Sequence, residues 1–429
     1  MLALKNLKEL SFLIYGLGLT GNSVVNFFKK NEIYKYKIWD DNNKKLYKKG
    51  NRCKNLKEIV KKTDFIILSP GINLNKSKNK KILLKYKKKI ITDIDLIYLT
   101  KKNLKTIVVT GTNGKSTTCK MIYCMLKNNN HKVVLGGNIG TPVLNLNIKK
   151  KDFLIIEASS FQLAYSKFVC PDYALFLNIT NDHLDWHGNM KNYINSKLKI
   201  FKLQKKNQYS LIRNKDIKKL YNKKFSGKLI KPNVSDYKKI KSKIKNTYIK
   251  SNINNENMSF VYSLSKLLKI KLSLFLESLN NFTGLPHRYE IFLKKKGISF
   301  INDSKATTFQ ASKFALQNTK NIFWILGGLP KKNDKFMIKK IKNKIIKAYI
   351  IGKNQYFFKK QIKGKLEYHL TGNLKNSILK ILSDIKSIQK KENSILLSPA
   401  AASYDQYLNF EKRGEEFKKL SRHYARKLI

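Results

Sequence analysis

The chain has 429 residues, 42% of them hydrophobic, which is too long for one ordinary core and too apolar for wholesale disorder. Its formal net charge of +62 would suit a nucleic acid or an anionic membrane, yet only six of its 89 basic residues are Arg, at 52, 213, 288, 413, 422 and 426, and the lysines run along the whole length. Base and phosphate readout favours Arg forks, so the pattern is read as compositional drift over solvated surfaces, with no specific nucleic-acid partner.

Apolar runs stay short of the roughly 18 residues that a spanning helix needs, so no membrane segment is expected. The start, Met1-Leu2-Ala3-Leu4-Lys5, is expected to run directly into a strand with no signal peptide. The four cysteines, Cys53, Cys119, Cys124 and Cys170, lack zinc-like pairing, and Cys119 and Cys124, five apart in a helix-compatible run, suit free, buried thiols in a reducing cytosol. No internal repeat is found, and nothing demands more than a monomer.

Short apolar runs alternate with helical stretches, which predicts α/β structure with parallel sheets. Three blocks emerge, 1–102, 103–285 and 286–429. The first opens with the strand Phe12-Leu13-Ile14-Tyr15 and the turn Gly16-Leu17-Gly18-Leu19-Thr20-Gly21, with Asp40 downstream. A lone G-x-G-x-x-G is a weak signal and would also suit a dinucleotide-binding dehydrogenase. Phe65-Ile66-Ile67-Leu68 is a second strand, followed by Ser69-Pro70-Gly71.

The second block carries the strongest motif. A β-branched strand, Thr106-Ile107-Val108-Val109, leads into Thr110-Gly111-Thr112-Asn113-Gly114-Lys115-Ser116-Thr117, and a helix-compatible run from Thr118 to Lys127 follows. Gly111 and Gly114 let the backbone approach an anion closely, the helix N-terminus offers unpaired N–H groups, and Lys115 adds a cation. The Ser116 hydroxyl suits magnesium. The common, longer phosphate loop would have glycine where Val109 stands. Gly137-Asn138-Ile139-Gly140 forms another turn. The strand Phe153-Leu154-Ile155-Ile156 delivers Glu157-Ala158-Ser159-Ser160-Phe161-Gln162, and Tyr173 to Leu177 delivers Asn178-Ile179-Thr180-Asn181-Asp182-His183-Leu184-Asp185. A carboxylate and an acid-flanked histidine at strand ends are metal-ligand candidates. Then come Tyr193-Ile194-Asn195-Ser196-Lys197-Leu198-Lys199 and the pair Asn254 and Asn257, while 215–257 is weakly patterned.

The third block opens with Gly284-Leu285-Pro286-His287-Arg288-Tyr289-Glu290. A short strand precedes Asn302-Asp303-Ser304-Lys305-Ala306-Thr307. The run Phe323 to Leu326 ends at Gly327-Gly328-Leu329-Pro330-Lys331. Ala348 to Ile351 and Ser394 to Leu397 are further strands, the last leading into Ser398-Pro399-Ala400-Ala401-Ala402-Ser403 and on to Phe410 and Arg413-Gly414. No Ser-His-Asp or Cys-His arrangement stands out, so no side-chain nucleophile is expected.

The shortened loop at 111–117 resembles the ATP loop of the Mur ligases and of their relatives, the folylpolyglutamate synthases, and the later motifs fit that family in order. The resemblance runs from about residue 12 to 420 and implies three domains: N-terminal Rossmann-like, central P-loop ATPase-like, and C-terminal Rossmann-like. It also implies an ATP- and magnesium-dependent amide ligase working through an acyl phosphate. The string ending at Phe410, together with the lack of the Asp-Asn-Pro-Arg motif of diaminopimelate-adding relatives, points to the D-glutamate-adding branch. That branch takes UDP-N-acetylmuramoyl-L-alanine, and another amino-acid specificity is the alternative.

Residue by residue, the resemblance implies that Gly111 to Thr117, Asn257, Arg288 and Asp303 bind ATP. Lys115, Glu157, His183 and Lys197 form the catalytic set, with magnesium on Ser116, Glu157, His183 and a carbamylated Lys197. Leu19, Thr20, Asp40, Ser69 and Asn138 meet the UDP precursor. Lys305, Thr307, Lys331, Ser403 and Phe410 meet the amino acid. Asp41 and Asn42 depart from the Thr-Arg of well-known members, Ile253 replaces a His before the asparagine pair, and Leu329 replaces an Asp.

Overall fold

The computed structural model describes residues 4–42, 55–100, 104–148, 153–213, 217, 225–280, 282, 284–331, 334–336, 342–388 and 392–428. Cys53 and Arg52 lie outside them. The chain forms three separate sheets and divides into two compact units, residues 1–282 and 283–429, with the first two sheets in the first unit.

The first sheet has the order β2-β1-β3-β4, all parallel: β1 Phe12–Tyr15, β2 Tyr36–Trp39, β3 Phe65–Leu68 and β4 Ile90–Ile91. All four residues of β1 are buried, as a parallel strand covered on both faces requires. The expected direct run into β1 is corrected: a helix, Leu4–Glu9, comes first. Its Leu7 is fully buried, and Leu10 just beyond the helix packs against the same core.

The second sheet, β10-β9-β8-β5-β7-β6, is also wholly parallel. Its strands are β5 Lys105–Thr110, β6 Val133–Gly137, β7 Phe153–Glu157, β8 Tyr173–Phe176, β9 Tyr209–Ile212 and β10 Lys228–Ile230. β5 lies between β7 and β8, so the strand order reverses around it, and a ligand crevice belongs at the carboxyl ends of these three strands. The weakly patterned 215–257 stretch contains β10 and the helices Val234–Lys241 and Thr247–Lys250. Their apolar faces are narrow, with Tyr237 and Ile240 buried in the first helix, which explains the faint signal.

Buried side chains tie these two sheets together. Asp95 accepts from the backbone N–H groups of Thr92, Lys167 and Phe168 at 2.8–2.9 Å. Burial raises its carboxyl above the usual range, and those donors oppose the rise. Thr92 and Ser166 share a hydroxyl bond of 2.8 Å.

The second unit holds the sheet β11-β12-β16-β13-β14-β15, made of β11 Glu290–Lys295, β12 Ile298–Asn302, β13 Ile322–Gly327, β14 Ile345–Ile351, β15 Tyr368–Gly372 and β16 Asn393–Leu397. β11 is an antiparallel edge on an otherwise parallel sheet. Every residue of β13 is buried. The chain is thus α/β with three domains, one around each sheet. Among the described residues no helix is long and apolar enough to cross a membrane.

Candidate active site

The glycine loop leaves the carboxyl end of β5. Gly111 has φ +155° and Gly114 has φ +80°, and the helix Lys115–Asn128 begins at once behind them. A Cβ at Gly114 would lie 2.2 Å from Asn257 Oδ1, so the glycine is required by packing as well as by its backbone. The loop is laced to the segment after β8: Asn113 N–H donates to Asn178 Oδ1 at 2.9 Å, Thr112 N–H to Asn178 O at 3.0 Å, and Thr180 N–H to Thr112 Oγ1 at 3.0 Å. Lys115 Nζ curls over the loop and donates to Gly111 O and Thr112 O at 2.9 and 2.8 Å.

Glu157 ends β7, directly beside Val109 of β5. Asn138 Nδ2 donates to its Oε1 at 2.8 Å, while its Oε2 is buried and accepts no hydrogen bond from the described residues. On the other flank His183 has φ +53°, a left-handed conformation that costs a non-glycine residue about 1 kcal/mol or more. Its Nε2 lies 3.4 Å from Asp182 Oδ2, and Phe161 packs edge-on against the imidazole with centroids 4.8 Å apart.

Lys197, on the helix Met190–Leu198, is 1% exposed and points at the loop, donating from Nζ to Gly111 O at 2.8 Å. Burial, reinforced by the Lys115 charge and opposed by Asp182 and Glu157, holds its ammonium well below the usual lysine range. Lys199 turns away, as expected, and bonds Ala164 O and Ser166 O. The structure therefore gathers Lys115, Glu157, Asp182 and Lys197 around one glycine loop.

Some residues of this site were not singled out from sequence. Tyr193 hydroxyl lies 3.1 Å from Thr112 Oγ1, and its ring sits 4.7 Å from Lys197 Nζ. The four-residue spacing from Tyr193 to Lys197 on one helix face was the available signal. His187 hydrogen-bonds Ser160 Oγ at 2.9 Å and is pushed down to about 4 by burial, then by His183 and Lys197.

In the first sheet, the candidate precursor residues cluster at the carboxyl ends of β1, β2 and β3. Leu17 N–H donates to Asp40 Oδ2 at 2.6 Å, and Ser69 Oγ donates to Gly16 O at 2.8 Å. Leu19 is 85% exposed and Thr20 half-buried.

In the second unit, the adjacent strands β12, β16 and β13 present the remaining candidates. Asp303 is buried, accepts from Ser398 Oγ at 2.7 Å and from Tyr289 N–H at 3.1 Å, and is pushed up to about 7 by burial despite these donors and the Arg288 charge. Lys305 Nζ sits 4.7 Å from the centre of the Phe410 ring. Ser403 is buried, Thr307 half-buried and Lys331 exposed. Arg413 is 1% exposed and bonds Ser304 Oγ, Ser304 O and Ala401 O at 2.8–3.0 Å.

Residues 109–281 match the Mur ligase middle domain. Over 97% of its length the chain is 35% identical to the UDP-N-acetylmuramoylalanine–D-glutamate ligase of Rickettsia felis, covering 97% of that protein. The chain belongs to the Mur ligase family. The ligase of the same name from Francisella tularensis subsp. novicida is 36% identical over 83% of this chain and 85% of its own. Among solved Mur ligases, MurF from Thermotoga maritima in complex with ADP superposes with a TM-score of 0.57 at 16% identity, covering 100% of this chain and 98% of that one. MurC from the same organism gives 0.55 at 16% identity over 96% of this chain and 99% of its own. At such identities these two Mur ligases speak to the fold.

The buried, unpartnered Glu157 Oε2 fits a hard divalent cation, because an orphaned anionic oxygen is otherwise costly. Among the described residues no group of three or more His, Cys, Asp or Glu is gathered for a metal. The set that the sequence resemblance implies, Ser116, Glu157, His183 and Lys197, contains only two residues of those types.

Proposed function

We infer that this chain is an ATP-dependent ligase that joins D-glutamate to UDP-N-acetylmuramoyl-L-alanine in peptidoglycan precursor synthesis. The observation that carries this is the arrangement at the ends of β7, β5 and β8, where Glu157, the glycine loop with Lys115, and the Asn178–His183 segment converge on Lys197, within a chain alignable end to end with ligases of that name. The first domain would take the UDP precursor, the second ATP, and the third the amino acid.

The chemistry follows from the residues. Loop N–H groups and Lys115 hold and neutralise the terminal phosphates of ATP. A precursor carboxylate oxygen attacks the γ-phosphorus as the bond to ADP breaks, giving an acyl phosphate. The D-glutamate amine then attacks the acyl carbon, loses a proton and expels inorganic phosphate. Magnesium on Ser116, Glu157, His183 and carbamylated Lys197 would supply Lewis-acid neutralisation of the phosphoryl oxygens. A neutral amine is the form of lysine that takes up carbon dioxide, and the environment of Lys197 favours it. Lys305, Lys331 and Ser403 are assigned to the D-glutamate carboxylates, and Thr307 and Phe410 to its flanks. The enzyme is assigned to the cytoplasm as a monomer.

Phosphate release measured with the purified full chain tests this directly. It should require ATP, magnesium, the UDP-muramoyl-alanine precursor and D-glutamate together. Turnover with L-lysine or diaminopimelate but none with D-glutamate would overturn the specificity.

A further inference from the structure

Asp41 has no role in the chemistry above, yet its carboxylate accepts from three side-chain donors at the carboxyl end of the first sheet. Its Oδ1 accepts from Trp39 Nε1 at 2.8 Å and from Asn79 Nδ2 at 3.0 Å, and the Tyr15 hydroxyl reaches both oxygens at 2.9–3.0 Å. Asn79 also donates to the Tyr15 hydroxyl at 2.9 Å, and Ser77 Oγ lies 3.4 Å from it. These donors come from three places in the fold: the last residue of β1, the last residue of β2, and the residue preceding the helix Lys80–Lys85. The immediate neighbour, Asp40, faces the other way, accepting from Leu17 N–H of the glycine turn at 2.6 Å and from Asn42 N–H at 2.9 Å.

We propose that Asp41 is a positioning residue for the nucleotide end of the UDP-linked substrate, fixing the turn after β2 so that Asp40 and the glycine turn meet the ligand in one geometry. This rests on the assignment of the UDP precursor to the first sheet. Two successive carboxylates on one turn would ordinarily repel a diphosphate-bearing ligand. Here the Asp41 charge is absorbed by three donors from the sheet and the 77–79 segment. Asp40 spends one bond on each oxygen and keeps acceptor capacity for a base N–H, since an ionised carboxylate offers about four acceptor sites. An apolar side chain at 41 would pack the same corner but would remove the acceptor that Tyr15, Trp39 and Asn79 share, cutting the turn loose from the strand ends and the 77–79 segment.

The test uses the full chain and two readouts: calorimetric binding of UDP and of the UDP-muramoyl-alanine precursor, and steady-state constants for precursor and ATP. Asp41→Ala should weaken UDP binding about tenfold to a hundredfold, the range expected for hydrogen bonds to a charged group. The KM for ATP and the kcat at saturating precursor should stay near their wild-type values. Asp41→Asn, which keeps one acceptor oxygen, should lose less. Tyr15→Phe, which keeps the buried ring, should shift UDP binding in the same direction and carries the test if Asp41→Ala does not fold.

If Asp40→Ala abolishes UDP binding while Asp41→Ala and Tyr15→Phe bind normally, the proposal is overturned and the assignment of the precursor site stands. Normal UDP binding by the Asp40 and Asp41 variants alike would overturn that assignment and the proposal with it. A parallel loss of ATP and UDP affinity with a lowered unfolding midpoint would mark Asp41 as merely structural.

Discussion

Gly114 offers the sharpest test of how the glycine loop is packed, because two independent costs meet there and can be separated. In Gly114→Ala the new Cβ would occupy a residue with φ +80° and would lie 2.2 Å from Asn257 Oδ1, 2.9 Å from its Cγ and 3.0 Å from its Nδ2. The left-handed backbone costs an alanine about 1–2 kcal/mol. The clash is worth roughly another 1–3 kcal/mol, because Asn257 is 8% exposed and held on the buried face of the helix Asn255–Leu267, so it has little room to yield. Asn257→Ala alone forfeits a long bond to Asn254 Oδ1 of 3.3 Å and should cost about 1 kcal/mol. In the double variant the clash is gone and only the backbone strain remains. A double-mutant cycle on thermal or guanidinium unfolding should therefore show a favourable coupling of about 1–3 kcal/mol. At roughly 2–4 °C per kcal/mol for a domain of this size, that is visible in a melting curve. Strictly additive losses would refute the claim that Asn257 and the loop share one packed position.

Three further outcomes are expected. Lys197→Ala should lower kcat by at least about a hundredfold, with partial rescue by formate or acetate; unchanged turnover would remove Lys197 from the site. Asp303 titrates near 7 in the folded chain against about 3.9 unfolded, so between those values the native state keeps a proton that the unfolded state has released. Stability then falls as pH rises, and Asp303→Asn should remove that slope, gaining roughly 2–4 kcal/mol on the wild type between about pH 5 and pH 8 in urea titrations. A stability difference between the two that does not change with pH would refute this. Arg413→Lys should destabilise the second unit by about 2–4 kcal/mol, because a single ammonium cannot reproduce bonds to Ser304 Oγ, Ser304 O and Ala401 O at once. A melting point within 1 °C of wild type would contradict it.

The glycine loop and the strand before it were legible because local rules suffice there: β-branched residues enter a parallel sheet, glycines make the turn, and a helix follows. β1, β3, β5, β7, β8, β13, β14 and β16 could all be read from short apolar runs, since strands covered on both faces must be continuously apolar. The strands less easily seen lie mostly at the sheet edges. β2 reads Tyr-Lys-Ile-Trp, β10 reads Lys-Leu-Ile, and β11 ends in Lys294 and Lys295, so lysines interrupt each apolar run and few of the positions are fully buried. The helix Leu4–Glu9 is too short to show a period. Sequence-distant partners were out of reach for another reason. That Asn257 packs against Gly114, or that Asp41 binds Tyr15 and Asn79, depends on how separate segments stack, and no local pattern encodes it. Only half of the expectation for the helix Lys115–Asn128 thiols survives: Cys119 is buried, while Cys124 is half-buried.

The arginines show why the charge of +62 says little about partners. In a chain whose cations are almost all lysine, several of the arginines sit where their planar fork makes contacts that an ammonium would make less well. Arg413 fills a buried slot with three directed bonds, which needs a planar fork. Arg288 sits beside buried Asp303 and pulls its carboxyl downward. Arg422 lies over the Phe292 ring at 5.7 Å, a stacking that suits a flat cation. Arg213, just after β9, pairs with Glu256 in the first turn of the helix Asn255–Leu267 at 3.3 Å. By the same logic the few lysines that matter are marked by placement and not by abundance. Lys115 is folded over its own loop, and Lys197 is buried against Gly111, where loss of solvation, then the Lys115 charge, disfavours its ammonium form. The charge is thus carried mainly by lysines on solvated faces, while the two candidate lysines, Lys115 and Lys197, are set apart by the backbone carbonyls of one loop that they share.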